Sequence, residues 1–105
     1  LHMRILLKAQ FSAENGNSRL RDGSLGEKLD SILTDTKAEA VYFLLEGGLR
    51  TVIGIFEMED SSQLPALVEP WFLSFGATVE VTPVLTAVDF EKAGPSIGEI
   101  VQKYG

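Results

Sequence analysis

The sequence predicts a single α+β domain. Two observations carry this reading. Four runs with strand character and two long helical stripes follow one another in the order β-α-β-β-α-β, and a Gly-Gly pair separates two of the strands at hairpin spacing. The 105 residues fit one domain, and 45% hydrophobic with 23% charged residues is the balance of a chain that buries a core. A domain of this size hides only about two-thirds of the surface its unfolded chain exposes, so pairing with a copy adds useful burial.

Met3 to Phe11 alternates as a strand, with Ile5, Leu7, Ala9 and Phe11 on one face and Arg4, Leu6, Lys8 and Gln10 on the other. Ser12 to Asn17 reads as a polar loop closing on Asn-Gly-Asn. Leu25, Leu29, Ile32 and Leu33 then form a helical stripe. The helix starts either at Ser24, with Glu27 at capping-box spacing, or near Asn17, carrying Leu20 and tolerating Gly23 and Gly26 at about 1 kcal/mol each. The longer version is preferred.

Glu39 to Glu46 and Leu49 to Met58 are the second and third strands, joined by Gly47-Gly48. Gly54 inside the third signals a bulge or the close approach of a bulky neighbour. Asp60-Ser61-Ser62 opens the second helix, whose stripe is Leu64, Leu67, Val68, Trp71, Phe72 and Phe75. Pro65 suits the first turn, Pro70 is expected to kink the helix, and Gly76 stops it. Thr78 to Leu85 is the fourth strand, with Pro83 pointing to an edge position or a frayed end. Thr86 and Asp89 repeat the capping-box spacing, Gly94-Pro95 interrupts, and Ile97, Ile100, Val101 and Tyr104 form a short amphipathic helical tail.

This order is the ferredoxin-like, split βαβ pattern, with a four-stranded antiparallel sheet and both helices on one face. The other face would show Leu6, Lys8 and Gln10, Tyr42 and Leu44, and Glu80 and Thr82. The third strand adds either Thr51, Ile53 and Ile55 or Arg50, Val52 and Phe56. Such a face is too apolar for water and too polar for a sealed core, which predicts a homodimer of face-to-face sheets with a lined cleft.

Fifteen acidic against nine basic residues give a net charge of −6, which argues against nucleic acid and against an anionic membrane surface. Self-repulsion in favour of solubility is the plain reading of that charge. No apolar run reaches bilayer-spanning length and no signal peptide is expected. The absence of cysteine suits a reducing cytoplasm. Leu1-His2 ahead of Met3 reads as an expression scar, leaving 3–105 as the domain. Without His2, the sole histidine, zinc sites and nucleophile–base triads have no members.

MRILLKAQF at the start, Met58-Glu59-Asp60, Trp71-Phe72 and Val79 to Thr86 make the chain resemble the dimeric α+β barrel superfamily, and within it a family of small bacterial proteins of unassigned function. The resemblance covers most of Met3 to Leu85. It implies a ligand between the open sheet face and helices, as in relatives that include haem-degrading and quinol monooxygenases, muconolactone isomerase-like enzymes, chlorite dismutase-like proteins and ligand-sensing domains. The chain departs from the haem-binding members and many isomerase-like ones in lacking their histidine.

The candidate ligand-binding residues are Lys8, Gln10, Tyr42, Glu80, Thr82 and Trp71. Lys8 and Glu80 are either a cross-strand ion pair or an acid–base or anion-binding pair, and so the only catalytic candidates. Tyr42 is a cleft residue or an interface residue with its hydroxyl at the rim. Trp71 packs the core or stacks on a ligand. Glu57, Glu59 and Asp60 suggest a divalent cation, but lack EF-hand spacing and are explained by the helix dipole. Gly94-Pro95-Ser96 lacks a P-loop lysine and reads as a hinge. The expectation is a small homodimeric domain that binds an organic ligand, with no cofactor or metal. A cofactor-free oxygenase or isomerase, and a structural dimer without ligand, are the alternatives.

Overall fold

Alternation of apolar and polar side chains gives β1 (Met3–Phe11) its two faces, and it is the strand around which the sheet is built. In the computed structural model, which describes residues 3–105, β1 pairs antiparallel with β3 (Leu49–Met58) and with β4 (Thr78–Pro83), and β3 pairs antiparallel with β2 (Ala40–Glu46). The order β2-β3-β1-β4 is that of a ferredoxin-like α+β fold. The expected Leu1-His2 scar lies outside the described residues.

Ile5, Leu7, Ala9 and Phe11 are buried on the helix side, together with Val52, Phe56 and Met58 of β3. The pairing of Leu7 with Gly54 and of Lys8 with Ile53 puts Thr51, Ile53 and Ile55 on the open face, which settles the third strand's parity. Gly54 sits in unbroken register, so no bulge forms. It permits a close approach instead: a Cβ there would lie 2.6 Å from the ring of Phe56. Gly47 and Gly48, at φ of 60° and 78°, make the two-residue hairpin that their composition predicts.

The region after β1 differs from both expected versions. There are two helices, α1 (Ala13–Arg21) and α2 (Leu25–Thr36), and the expected loop at Ser12–Asn17 lies mostly inside the first. Ser12 caps α1 by accepting from the Asn15 N–H at 3.1 Å. Gly16, read as part of a turn, is buried in α1 and leaves room for the Arg50 guanidinium, which also donates to Asn17 Oδ1 at 3.0 Å. The break falls at Gly23, whose φ of 79° no continuous helix accepts. Ser24 does not cap α2 with its side chain; its N–H and hydroxyl both donate to Asp22 Oδ1.

A single 3-10 turn, Ser61–Gln63, leads into α3 (Leu64–Phe75), which runs through Pro70. Asp60 and Gln63 form a reciprocal capping box, and Gly76 ends the helix at φ 58°. Leu67, Trp71 and Phe75 are buried, and Phe75 stacks on Phe11 with centroids 4.9 Å apart. Two α1 side chains satisfy carbonyls at the C-terminal end of α3: Asn15 Nδ2 donates to Phe75 O at 2.8 Å and Arg19 Nε to Ser74 O at 3.0 Å.

β4 is an edge strand, as Pro83 implies, and it ends there rather than at Leu85. Beyond it, the Thr86–Asp89 capping box opens α4 (Ala87–Lys92), and α5 (Gly94–Tyr104) follows after Ala93, which keeps helical dihedrals. Neither helix buries a residue. The radius of gyration is 17.2 Å, against roughly 13 Å for a compact chain of this length. Extents of 59 × 28 × 20 Å show the same elongation. Among the described residues, no helix is long and apolar enough to cross a membrane.

Candidate functional site

Register places four residues in one row across the open face: Glu80 of β4 opposite Lys8 of β1, Lys8 opposite Ile53 of β3, and Ile53 opposite Tyr42 of β2. The adjacent rows hold Thr82, Leu6, Ile55 and Ala40 on one side, and Thr78, Gln10, Thr51 and Leu44 on the other. Lys8, Gln10, Tyr42, Glu80 and Thr82 therefore share one face. Trp71 does not join them: it is fully buried on the helix side, among core residues, and its indole N–H has no partner among the described residues.

Leu6, Ile53, Ile55 and Tyr42 make a continuous apolar band, with Tyr42 65% exposed. Charges flank the band at both ends, and each cation has a carboxylate. Lys8 Nζ lies 3.0 Å from Glu46 and 3.8 Å from Glu80. Arg4 Nε lies 3.0 Å from Glu39, and Arg4 Nη2 3.7 Å from Glu57. Hydrogen bonding and charge from Glu46 raise the Lys8 ammonium pKa above its ordinary 10.5, and Glu39 does the same for Arg4. Gln10 Nε2 bridges Glu46 O at 3.0 Å and Thr51 Oγ1 at 3.1 Å. The bridge, with donation from Thr51 Oγ1 to Leu49 O at 3.0 Å, satisfies the hydroxyl of Thr51, which is buried on an otherwise open face.

The Lys8–Glu80 pairing follows from strand adjacency, but Glu46 is the nearer partner and strand order alone does not reveal it. Arg4 stands on the same face as Lys8, and its contact with Glu57 follows from their direct register. Glu57, Glu59 and Asp60 do not converge. Glu57 faces Arg4, and Asp60 accepts from the Ser62 N–H at 2.8 Å, which lowers its carboxyl pKa. The Glu59 N–H donates to Gln63 Oε1 at 2.8 Å. Among the described residues, no three His, Asp or Glu side chains group to hold a metal ion.

Two depressions lie away from the open face row. One, of 1050 Å³, runs between α2 and α3 over the end of β3, lined by Lys28, Asp35, Glu57 and Gln63 among others. The other, of 320 Å³, is almost wholly apolar and lies between α2 and β2, lined by Leu25, Leu29, Phe43, Leu45, Val52 and Arg50 among others. Phe43 and Leu45 point to the helix side yet stay 62% and 74% exposed, because α2 leaves the outer strand uncovered.

An α+β domain of ferredoxin-like strand order, with an apolar sheet face between paired charges, is the class these features define. The chain belongs to the family described as domain of unknown function DUF3303, whose model matches residues 6–97. No curated protein and no solved structure matches it.

Proposed function

We propose that the chain is one subunit of a homodimer formed through the open sheet faces, in the manner of a dimeric α+β barrel, and that a small organic ligand is held between them beside Tyr42. The observation that supports this is the band of Leu6, Ile53, Ile55 and Tyr42 set between cations that already have carboxylate partners. Such a face can be covered by a copy without stranding an unpaired charge, which is the usual obstacle to burying ionic groups. Tyr42 and Thr82 offer hydroxyls, and Gln10 an amide, to orient a ligand in an otherwise apolar cleft.

Lys8 holds its proton more tightly than an ordinary lysine, because Glu46 stabilises the charged form. That suits an anchoring charge and disfavours Lys8 as the base of a cofactor-free oxygenase or isomerase. Equilibrium sedimentation of the purified protein tests the dimer, with Ile53→Asp as the disrupting variant. A dimer that dissociates on this substitution is expected; a monomer at high micromolar concentration sinks the reading. For the ligand, a rise in melting temperature with a small aromatic or carboxylate compound, lost in Tyr42→Ala, is expected. A melting temperature indifferent to a broad panel leaves a structural dimer as the function.

A further inference from the structure

We propose that α4 and α5 form an exchanged arm, in which α5 of each copy lies in the groove between α2 and β2 of the other. This rests on the homodimer proposed above and adds a second, separate contact to it. Ile97, Ile100, Val101 and Tyr104 line one side of α5 at i, i+3, i+4 and i+7 spacing, and all four are 42–76% exposed. A helix this short does not hold its shape in water without burying such a stripe. In its own chain α5 packs substantially only on α4.

The groove is the complementary surface. It is apolar, flanked by the exposed Phe43 and Leu45, and lies along β2, the outermost strand on that side of the sheet. The arm leaves the body after β4, at the opposite edge of the sheet, three strand spacings or about 14 Å away. Neither α4 nor α5 buries a residue, in a molecule 59 Å along its longest axis. A two-fold axis brings each arm to the other copy's free edge and makes the contact reciprocal.

Area and charge both favour a second copy as the occupant. With Leu85, Val88 and Phe90, each arm exposes seven large apolar side chains. Covering about half of that surface hides on the order of 400 Å² per arm. Two arms and the grooves beneath them then exceed the roughly 1,000 Å² a specific interface needs. The chain carries −6 overall, but α5 holds one Glu99 and one Lys103, so the inserted segment brings no net charge to a like-charged partner.

The absence of cysteine gives a clean background for the test. Chains carrying Leu45→Cys and Val101→Cys are co-expressed, treated with a short bismaleimide and read by mass spectrometry of the joined peptides. Because each chain has one thiol, a 45–101 product forms only between copies. Both sites are exposed, so neither substitution disturbs the core. The expected result is a 45–101 product at least tenfold above that of a Leu45→Cys and Glu99→Cys pair, since Glu99 lies on the far side of α5. Equal, low yields from a protein that sediments as a dimer overturn the exchanged arm and leave the sheet-face dimer standing. A protein that sediments as a monomer and gives no product overturns both.

Discussion

The ring of Phe56 occupies the space that a side chain at Gly54 would need. The two residues lie on the same face of β3, and a Cβ on Gly54 would sit 2.6 Å from Phe56 Cε2 and 2.9 Å from Cζ. Phe56 is 1% exposed and has nowhere to retreat. Gly54→Ala is therefore expected to cost about 1–3 kcal/mol through overpacking. Urea unfolding checks it: the midpoint falls while the slope stays constant. An unchanged midpoint would falsify the contact.

Trp71 offers a second test of packing, because its ring is buried while its N–H has no partner among the described residues. Trp71→Ala is expected to lose about 3–5 kcal/mol as a large cavity opens. Trp71→Phe removes the unpartnered donor together with part of the ring, so its cost should be smaller, on the order of 1–2 kcal/mol. Being the sole tryptophan, Trp71 also reports on itself. Its emission should be blue-shifted and resist quenching by acrylamide until the protein unfolds.

Three helix-end aspartates contribute to the acid response. The Asp60 carboxyl is held below its ordinary 3.8 by the Ser62 N–H, Asp89 by the Thr86 N–H, and Asp22 by the hydroxyl and N–H of Ser24. Lowered folded values mean these groups add stability that is complete above 3.8 and disappears as pH falls through the lower folded values. Denaturant midpoints measured downward from neutrality should hold until near 3.8 and then decline. Asp60→Asn should start lower and decline less steeply; a parallel curve contradicts the assignment.

Lys8 gives the opposite sign. Its folded pKa is raised above 10.5, so its contribution is complete below 10.5 and is lost as pH climbs through the folded value. Glu46→Gln removes the main cause and should bring the Lys8 titration, followed by the NMR shift of its side-chain Cε, back towards 10.5. Glu80→Gln should move it less, since that carboxylate is 3.8 Å away and mostly exposed. Equal effects from the two substitutions would mean the cross-strand neighbour matters as much as Glu46.

How much of this was legible beforehand depends on the range of the interactions involved. The four strands, the Gly47-Gly48 hairpin, the caps at Asp60 and Thr86 and the stop at Gly76 are local, written in period-two alternation or in dihedral demand, and each appears close to where the pattern puts it. The first helical region is different. Asn15-Gly16-Asn17 has the composition of a turn, yet it is helical and tied to distant parts of the chain by Arg50 from β3 and by the Phe75 carbonyl of α3. Those partners are 33 and 60 residues away, beyond any windowed reading. In the candidate site, adjacent register makes the Lys8–Glu80 neighbourhood readable. The Lys8–Glu46 pair lies diagonally across two strand junctions and depends on the reach of long side chains. Gly54 left the facing of β3 open, and only pairing with β1 resolved it.

The outer position of β2 has a further consequence. From Ala40 to Leu45 the strand runs AVYFLL, without a charge or a proline, and along its free side no strand among the described residues pairs with its backbone amides and carbonyls. Natural edges usually carry a lysine, a proline or a bulge that discourages accretion of further strands. Here the ionic residues stand at the two ends, Glu39 just ahead of the strand and Glu46 at the hairpin. A segment of this kind is a template for cross-β growth. Covering that edge is then expected to slow precipitation, and a charge placed on it, as in Tyr42→Lys, to do the same.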